Sequence, residues 1–197
     1  DVTHFVMDMS KAYRDIARAF FPSAKIVIDR FHVVRYGVWA FEDVRRRVQK
    51  SLPPNKRKYF KRSRKLLLAR ADRLSADDRR AVEIMLAHSE DLTRAWLLKE
   101  EFFKFMDSPS STQARIALNH FRFCAHRLNL PEFSSCLRML RNWEVYILNA
   151  FDCPFSNGFT EGINNATKTL KRAAFGFRNF HNFRTRILHC SNLYPYG

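Results

Sequence analysis

Two short runs near the N-terminus, "THFVMDM" and "AKIVIDRF", are rich in β-branched and aromatic residues, and an acid closes the apolar run of each. Both read as strands. Between them "SKAYRDIARAFFP" has helical spacing, with Ser10 placed to cap its start and Pro22 beyond its end. Strand, helix, strand predicts a parallel βαβ unit, since a parallel pair needs a crossover of this kind. Ligands of such units gather at the carboxyl ends of the strands, where Asp8 and Asp29 sit.

Beyond His32 the pattern becomes helical for about 120 residues. Helices are expected over His32–Lys50, over Asn55–Arg73 after the Pro53-Pro54 break, and from a Ser75 cap to about Met106 with an interruption near His88. Ser110 or Ser111 starts the next, and Pro131 is a good first-turn residue for another through Asn149. Asn157 can cap a helix that places Glu161, Asn164, Asn165, Lys168, Lys171 and Arg172 on one face. Ile163, Ala166, Leu170 and Ala173 or Ala174 fall on the other, a stripe expected to pack on the sheet. Gly176 ends that helix, and Asn179 caps a last one through Cys190. The expected class is therefore α/β but mostly helical, divided into 1–44, 45–155 and 156–197.

Charge sharpens the picture. The 197 residues carry a net +16, and the excess is confined to two segments. Arg45–Arg70 holds twelve bases and no acid, and Gly162–Gly197 holds six and no acid. Solvated helix faces normally mix both signs, so a polyanion partner is the better reading. No apolar run approaches the roughly 18 residues of a membrane span. The four cysteines are widely spaced, without the close pairs of a zinc site, and read as reduced thiols of a cytosolic protein. The first residues lack Met and open inside a strand pattern, so the chain reads as part of a longer protein.

Three acids are candidates for chemistry. Asp8 and Asp29 end neighbouring strands, and Glu161 opens a helix otherwise rich in bases. Carboxylates brought together repel one another unless a divalent cation such as Mg²⁺ sits between them. The alternative is that the strand-end acids make turn contacts and Glu161 pairs with Lys168 or a nearby Arg. His32, three residues after Asp29, could be oriented by it and contact phosphate or base, or could be a structural hydrogen-bonder. His120 and His126 lie in predicted helices without acidic or cysteine partners and carry no site. Phe175, Phe177 and Phe180 interleave with Arg178 as stacking residues of a nucleic-acid surface would.

"DMSKAY", "KIVIDRFHVV" and "SNGFTEGINNATKTLKRAAFGFRNFHNFRTRI", in this order and separated by a helical insert, resemble insertion-sequence transposases of the ISL-three group. The resemblance implies a ribonuclease-H-like sheet interrupted by an all-helical insertion: 1–44 and 156–197 would form the core, and 45–155 the insert. It implies an Asp-Asp-Glu triad holding two Mg²⁺ (or Mn²⁺), which cuts transposon ends and joins them to target DNA. Asp8 resembles the second Asp and Glu161 the closing Glu, with the first Asp upstream of residue 1. Asp29 and His32 resemble a motif adjacent to the site. Asn164, Asn165, Lys168, Lys171, Arg172, Arg178 and Arg184 would follow the DNA phosphates. A homodimer or larger assembly in the bacterial cytoplasm, on the nucleoid, is implied as well, and the piece alone is expected to be inactive. The competing assignments are a triad of Asp8, Asp29 and Glu161, a non-catalytic DNA-binding remnant of a degraded element, and a basic helical regulator.

Overall fold

The computed structural model describes residues 2–156 and 158–190. It forms two compact units, Asp1–Phe155 and Ser156–Gly197. Helix dominates, with one small parallel sheet among the described residues.

In the first unit β1 (His4–Met7) pairs in parallel with β2 (Lys25–Ile28), His4 opposite Lys25 and Met7 opposite Ile28. The crossover between them is α1 (Lys11–Phe20), capped as expected by Ser10, whose hydroxyl accepts from Tyr13 N–H. Ile26, Val27 and Ile28 are all buried, which is why the β2 sequence runs apolar without alternation.

Helix α2 (Arg30–Ser51) starts two residues earlier than its periodicity suggests, because Asp29 is its N-cap. At 22 residues it spans about 33 Å and forms the spine of the unit. The stretch expected as one helix over 55–73 is instead α3 (Pro54–Arg62), α4 (Arg64–Leu68) and a 3-10 turn at Ala71–Arg73. Ser63 divides the first two without a side-chain cap. The expected break near His88 separates α5 (Ala76–Leu86) from α6 (Glu90–Met106), whose caps are Ser75 and Ser89. Ser110 caps α7 (Ser111–Leu128). Pro131 opens a 3-10 turn rather than the helix itself, and α8 (Ser134–Asn149) follows it.

Packing explains the order. α2 lies against α6 and α8, α6 against α7, and α8 against β2, where Asn149 Nδ2 donates to the Ile26 carbonyl at 2.7 Å. The α2–α6 approach is close enough to require Gly37. A Cβ there would lie 2.4 Å from a Phe102 ring carbon. Phe102 in turn meets Phe105 and Phe121 edge-on, at the centre of a core running from Met7 to Phe151. Buried helix–helix contact of this kind, rather than the two-stranded sheet, holds the unit together.

The second unit contains α9 (Gly158–Ala173) and α10 (Phe180–Cys190). Asn157, the expected cap of α9, lies outside the described residues. The half-buried stripe of α9 runs through Ile163, Thr167 and Leu170, and Ala174 just past the helix continues it. Thr167 thus stands where Ala166 was expected, and Ala166 is exposed. After α9 the backbone turns left-handed at Phe175 (φ 53°) and Gly176 (φ 97°). Gly176 N–H closes on the Lys171 carbonyl at 3.0 Å, which ends the helix as a glycine there predicts. Asn179 caps α10 through Asn182 N–H.

Candidate active site

The parallel register brings two acids together. Asp29 N–H donates to the Met7 carbonyl at 3.0 Å, so Asp8 and Asp29 leave adjacent strand ends. The Asp8 carbonyl then accepts from Ser10 N–H at 2.7 Å, which turns the chain into α1.

The two carboxylates are in different surroundings. Asp29 is buried, 8% exposed, and its Oδ1 accepts from Phe31 N–H at 2.8 Å, so it fixes the start of α2. The Asp8 side chain is 45% exposed, and His32 Nε2 lies 3.0 Å from its Oδ1. His32 occupies the first turn of α2, on the helix that Asp29 caps. Sequence proximity suggested Asp29 as a partner that orients the imidazole; the structure also sets Asp8 against it. No run of neighbouring residues signals that pairing, because it depends on the strand register.

In the second unit Glu161 is exposed in the first turn of α9, where a carboxylate is favoured by the helix dipole. Asn164, Asn165, Lys168, Lys171 and Arg172 are exposed along the same helix, and Arg178 and Arg184 are exposed beyond it. Phe175 and Phe180 are also exposed, whereas Phe177 stacks on Phe183 with ring centroids 4.7 Å apart. Of the three aromatics expected as stacking residues, Phe177 is therefore used inside its own unit.

The basic run Arg45–Arg70 is also divided in its duties. Arg45, Arg46 and Arg64 converge on the buried Glu42, Arg47 bridges Asp91 and Glu132, and Arg70 pairs with Asp107. Those side chains hold helices together. Lys50, Lys56, Arg57, Lys58, Lys61, Arg62 and Lys65 make no ion pair among the described residues, and α3 is exposed except at Phe60. Within this run the solvent-facing positive surface is therefore α3 and its flanks.

The family model of the ISL3-type DDE transposases, described as "Transposase", matches residues 1–187. The chain belongs to that family. It is 30% identical over 184 residues to the transposase for insertion sequence element IS1001 of Bordetella parapertussis, covering 92% of this chain and 45% of that protein. To the transposase for IS1557 of Mycobacterium tuberculosis it is 27% identical over 201 residues, 90% of this chain and 45% of the relative. A 64-residue stretch, 32% of this chain, is 42% identical to 21% of a Lactococcus lactis protein named ATP-dependent protease. The chain spans about half the length of the curated transposases it matches. No solved structure matches it. For this transposase-family chain, no helix among the described residues is long and apolar enough to cross a membrane.

Proposed function

We propose that this chain is the C-terminal part of a transposase catalytic domain, in which Asp8 and Glu161 are two of three metal-binding acids. The first acid would lie upstream of residue 1. The sheet would then be part of a ribonuclease-H-like core, 1–44 together with 156–197, and 45–155 the helical insertion. The observation that carries the reading is the half-exposed Asp8 carboxylate at a parallel strand end, held by His32 at 3.0 Å in a chain of this family.

The donor chemistry suits a hard cation. Asp8 and Glu161 offer carboxylate oxygens of the kind Mg²⁺ or Mn²⁺ takes. Among the described residues no group of three His, Cys, Asp or Glu side chains is gathered for a metal. When bound, a pair of such ions would supply charge stabilisation to the attacking and leaving oxygens of a phosphodiester.

The remaining roles belong to the chain itself. His32 orients the Asp8 carboxylate, and Asp29 fixes the helix that carries His32, so both are positioning residues. Lys168, Lys171, Arg172, Arg178 and Arg184, with Asn164 and Asn165, would hold the phosphates of transposon-end and target DNA, and the exposed bases of α3 would bind phosphates as well. The active form would be a dimer or larger assembly acting on DNA in the bacterial cytoplasm, and this piece alone would bind DNA without cutting it.

The test is Glu161→Gln in the full-length protein. Gln keeps the shape but removes the charge a cation needs, so cleavage of a transposon-end substrate should fall by orders of magnitude while DNA binding persists. Normal cleavage by that variant would refute the role given to Glu161. Metal-dependent nicking by the present chain, lost on Asp29→Asn, would instead favour the triad of Asp8, Asp29 and Glu161.

A further inference from the structure

A cleft of about 500 Å³ opens between the first turn of α2, the link from α4 to α5, and the last turn of α6. Its floor is apolar, built by Val34, Leu68 and Phe103, and its rim carries Arg30, Arg70 and Arg73 beside Phe31. The Phe31 ring is 62% exposed and meets the His32 ring edge-on, with centroids 5.6 Å apart. The cleft therefore adjoins the Asp8–His32 pair.

Its charges are not balanced from within. Asp107 holds Arg70, whose guanidinium lies 4.9 Å from the Phe103 ring centroid. Arg30 donates to the Met106 carbonyl, a neutral acceptor, and neither Arg30 nor Arg73 makes an ion pair among the described residues. Burial holds the Arg30 guanidinium below its ordinary pKa, so an anion beside it relieves more than it would at a solvated arginine. An apolar floor, an exposed aromatic edge and two uncompensated cations match a flat ring joined to a phosphate.

We propose that this cleft takes one unpaired nucleotide of a DNA strand, its base against Phe31 and the apolar floor and its phosphate on Arg73 and Arg30. The proposal rests on the DNA-acting reading above. A base within a duplex has both faces stacked and cannot offer one to Phe31; an unpaired base can. A free mononucleotide shares this chemistry, and the experiment separates the two sources.

Binding of the full chain would be measured by fluorescence anisotropy on a fully paired duplex, on the same duplex with one unpaired adenosine, and on the same duplex with an abasic position there. Adenosine monophosphate would be tested alone. The unpaired-base duplex should bind roughly tenfold tighter than either of the others. Phe31→Ala and Arg73→Gln should each remove most of that preference while affinity for the paired duplex stays unchanged, with circular dichroism confirming the fold. Equal affinity for the three duplexes, or a preference that survives both substitutions, would overturn the proposal. So would tight monophosphate binding, lost in Phe31→Ala, without any preference among duplexes, since the site would then serve free nucleotides. If Glu161→Gln abolishes cleavage by the full-length protein but no unpaired-base preference exists, only the cleft assignment fails. If no duplex binds at all, the DNA-acting reading fails first.

Discussion

Glu42→Gln tests how the basic arm is held. The Glu42 side chain is 4% exposed and the Arg45 side chain 6%. Their contact is bidentate, Arg45 Nε to Oε2 at 2.6 Å and Nη2 to Oε1 at 2.9 Å. Arg64 Nε reaches Oε1 at 2.6 Å from the start of α4, and Arg46 at 3.5 Å, but those two side chains are 49% and 61% exposed. Solvent screens the exposed pairs, which contribute about 0–1 kcal/mol each. The decisive loss is the counter-charge of buried Arg45, for which removing one partner costs about 3–5 kcal/mol. Gln keeps one carbonyl oxygen as an acceptor, so the lower end applies, ~3 kcal/mol. For a chain of this size that is a fall in melting temperature of about 6–12 °C. Burial by itself would raise the Glu42 pKa, but hydrogen bonds and charge from Arg45 and Arg64 outweigh it, and the net direction is downward. A carboxyl depressed in the folded state stabilises above its unfolded pKa and loses that contribution as pH falls through the folded one. The gap between wild type and Glu42→Gln should therefore be full at pH 7 and narrow below about pH 4.3, the ordinary Glu value. Thermal melts by circular dichroism at both pH values measure it. A Glu42→Met, Arg45→Met double variant should regain most of the loss, because no buried charge is left alone. A Glu42→Gln melt within a degree of wild type at pH 7 would refute the reasoning.

Gly37→Ala should lower stability by about 1–3 kcal/mol, toward the upper end, because the new Cβ meets a Phe102 ring already wedged against Phe105 and Phe121; Phe102→Leu in the same chain should recover part of it in a melting experiment. Lys99→Met should cost about 1–3 kcal/mol, since the buried ammonium is the donor to the Leu67 and Ala69 carbonyls at the end of α4. Burial lowers the Lys99 pKa despite the Glu100 carboxylate at 2.8 Å, so the cost of the buried charge is relieved as pH rises toward about 10.4; the wild type should gain on Lys99→Met over that alkaline range. Lys171→Ala should leave the melt unchanged and reduce the salt slope of DNA binding by about one, as expected for one lost phosphate contact; an unchanged slope would remove Lys171 from the phosphate track.

Local pattern determined a good deal of this protein. Apolar runs closed by an acid marked β1 and β2, and Ser10, Ser75, Ser110 and Asn179 marked helix starts because a short side-chain oxygen meets an unpaired N–H wherever a helix begins. Gly176 marked the end of α9 for the converse reason, a left-handed turn that side chains resist. The family motifs were legible too, since they are contiguous. What the tertiary structure decided is which partners those residues find. Asp29 caps α2, and Asp8, far from His32 along the chain, meets the imidazole because parallel register sets the end of β1 beside the first turn of α2. Arg45–Arg70 reads as a uniform block of positive charge, but the fold spends Arg45, Arg47, Arg64 and Arg70 on acids far away in sequence or buried beside them. The division between structural and solvent-facing bases is set by which helix face meets the core. Sequence gives the periodicity of each helix, while the phase that faces inward depends on neighbours such as Phe102 opposite Gly37, which only packing brings together.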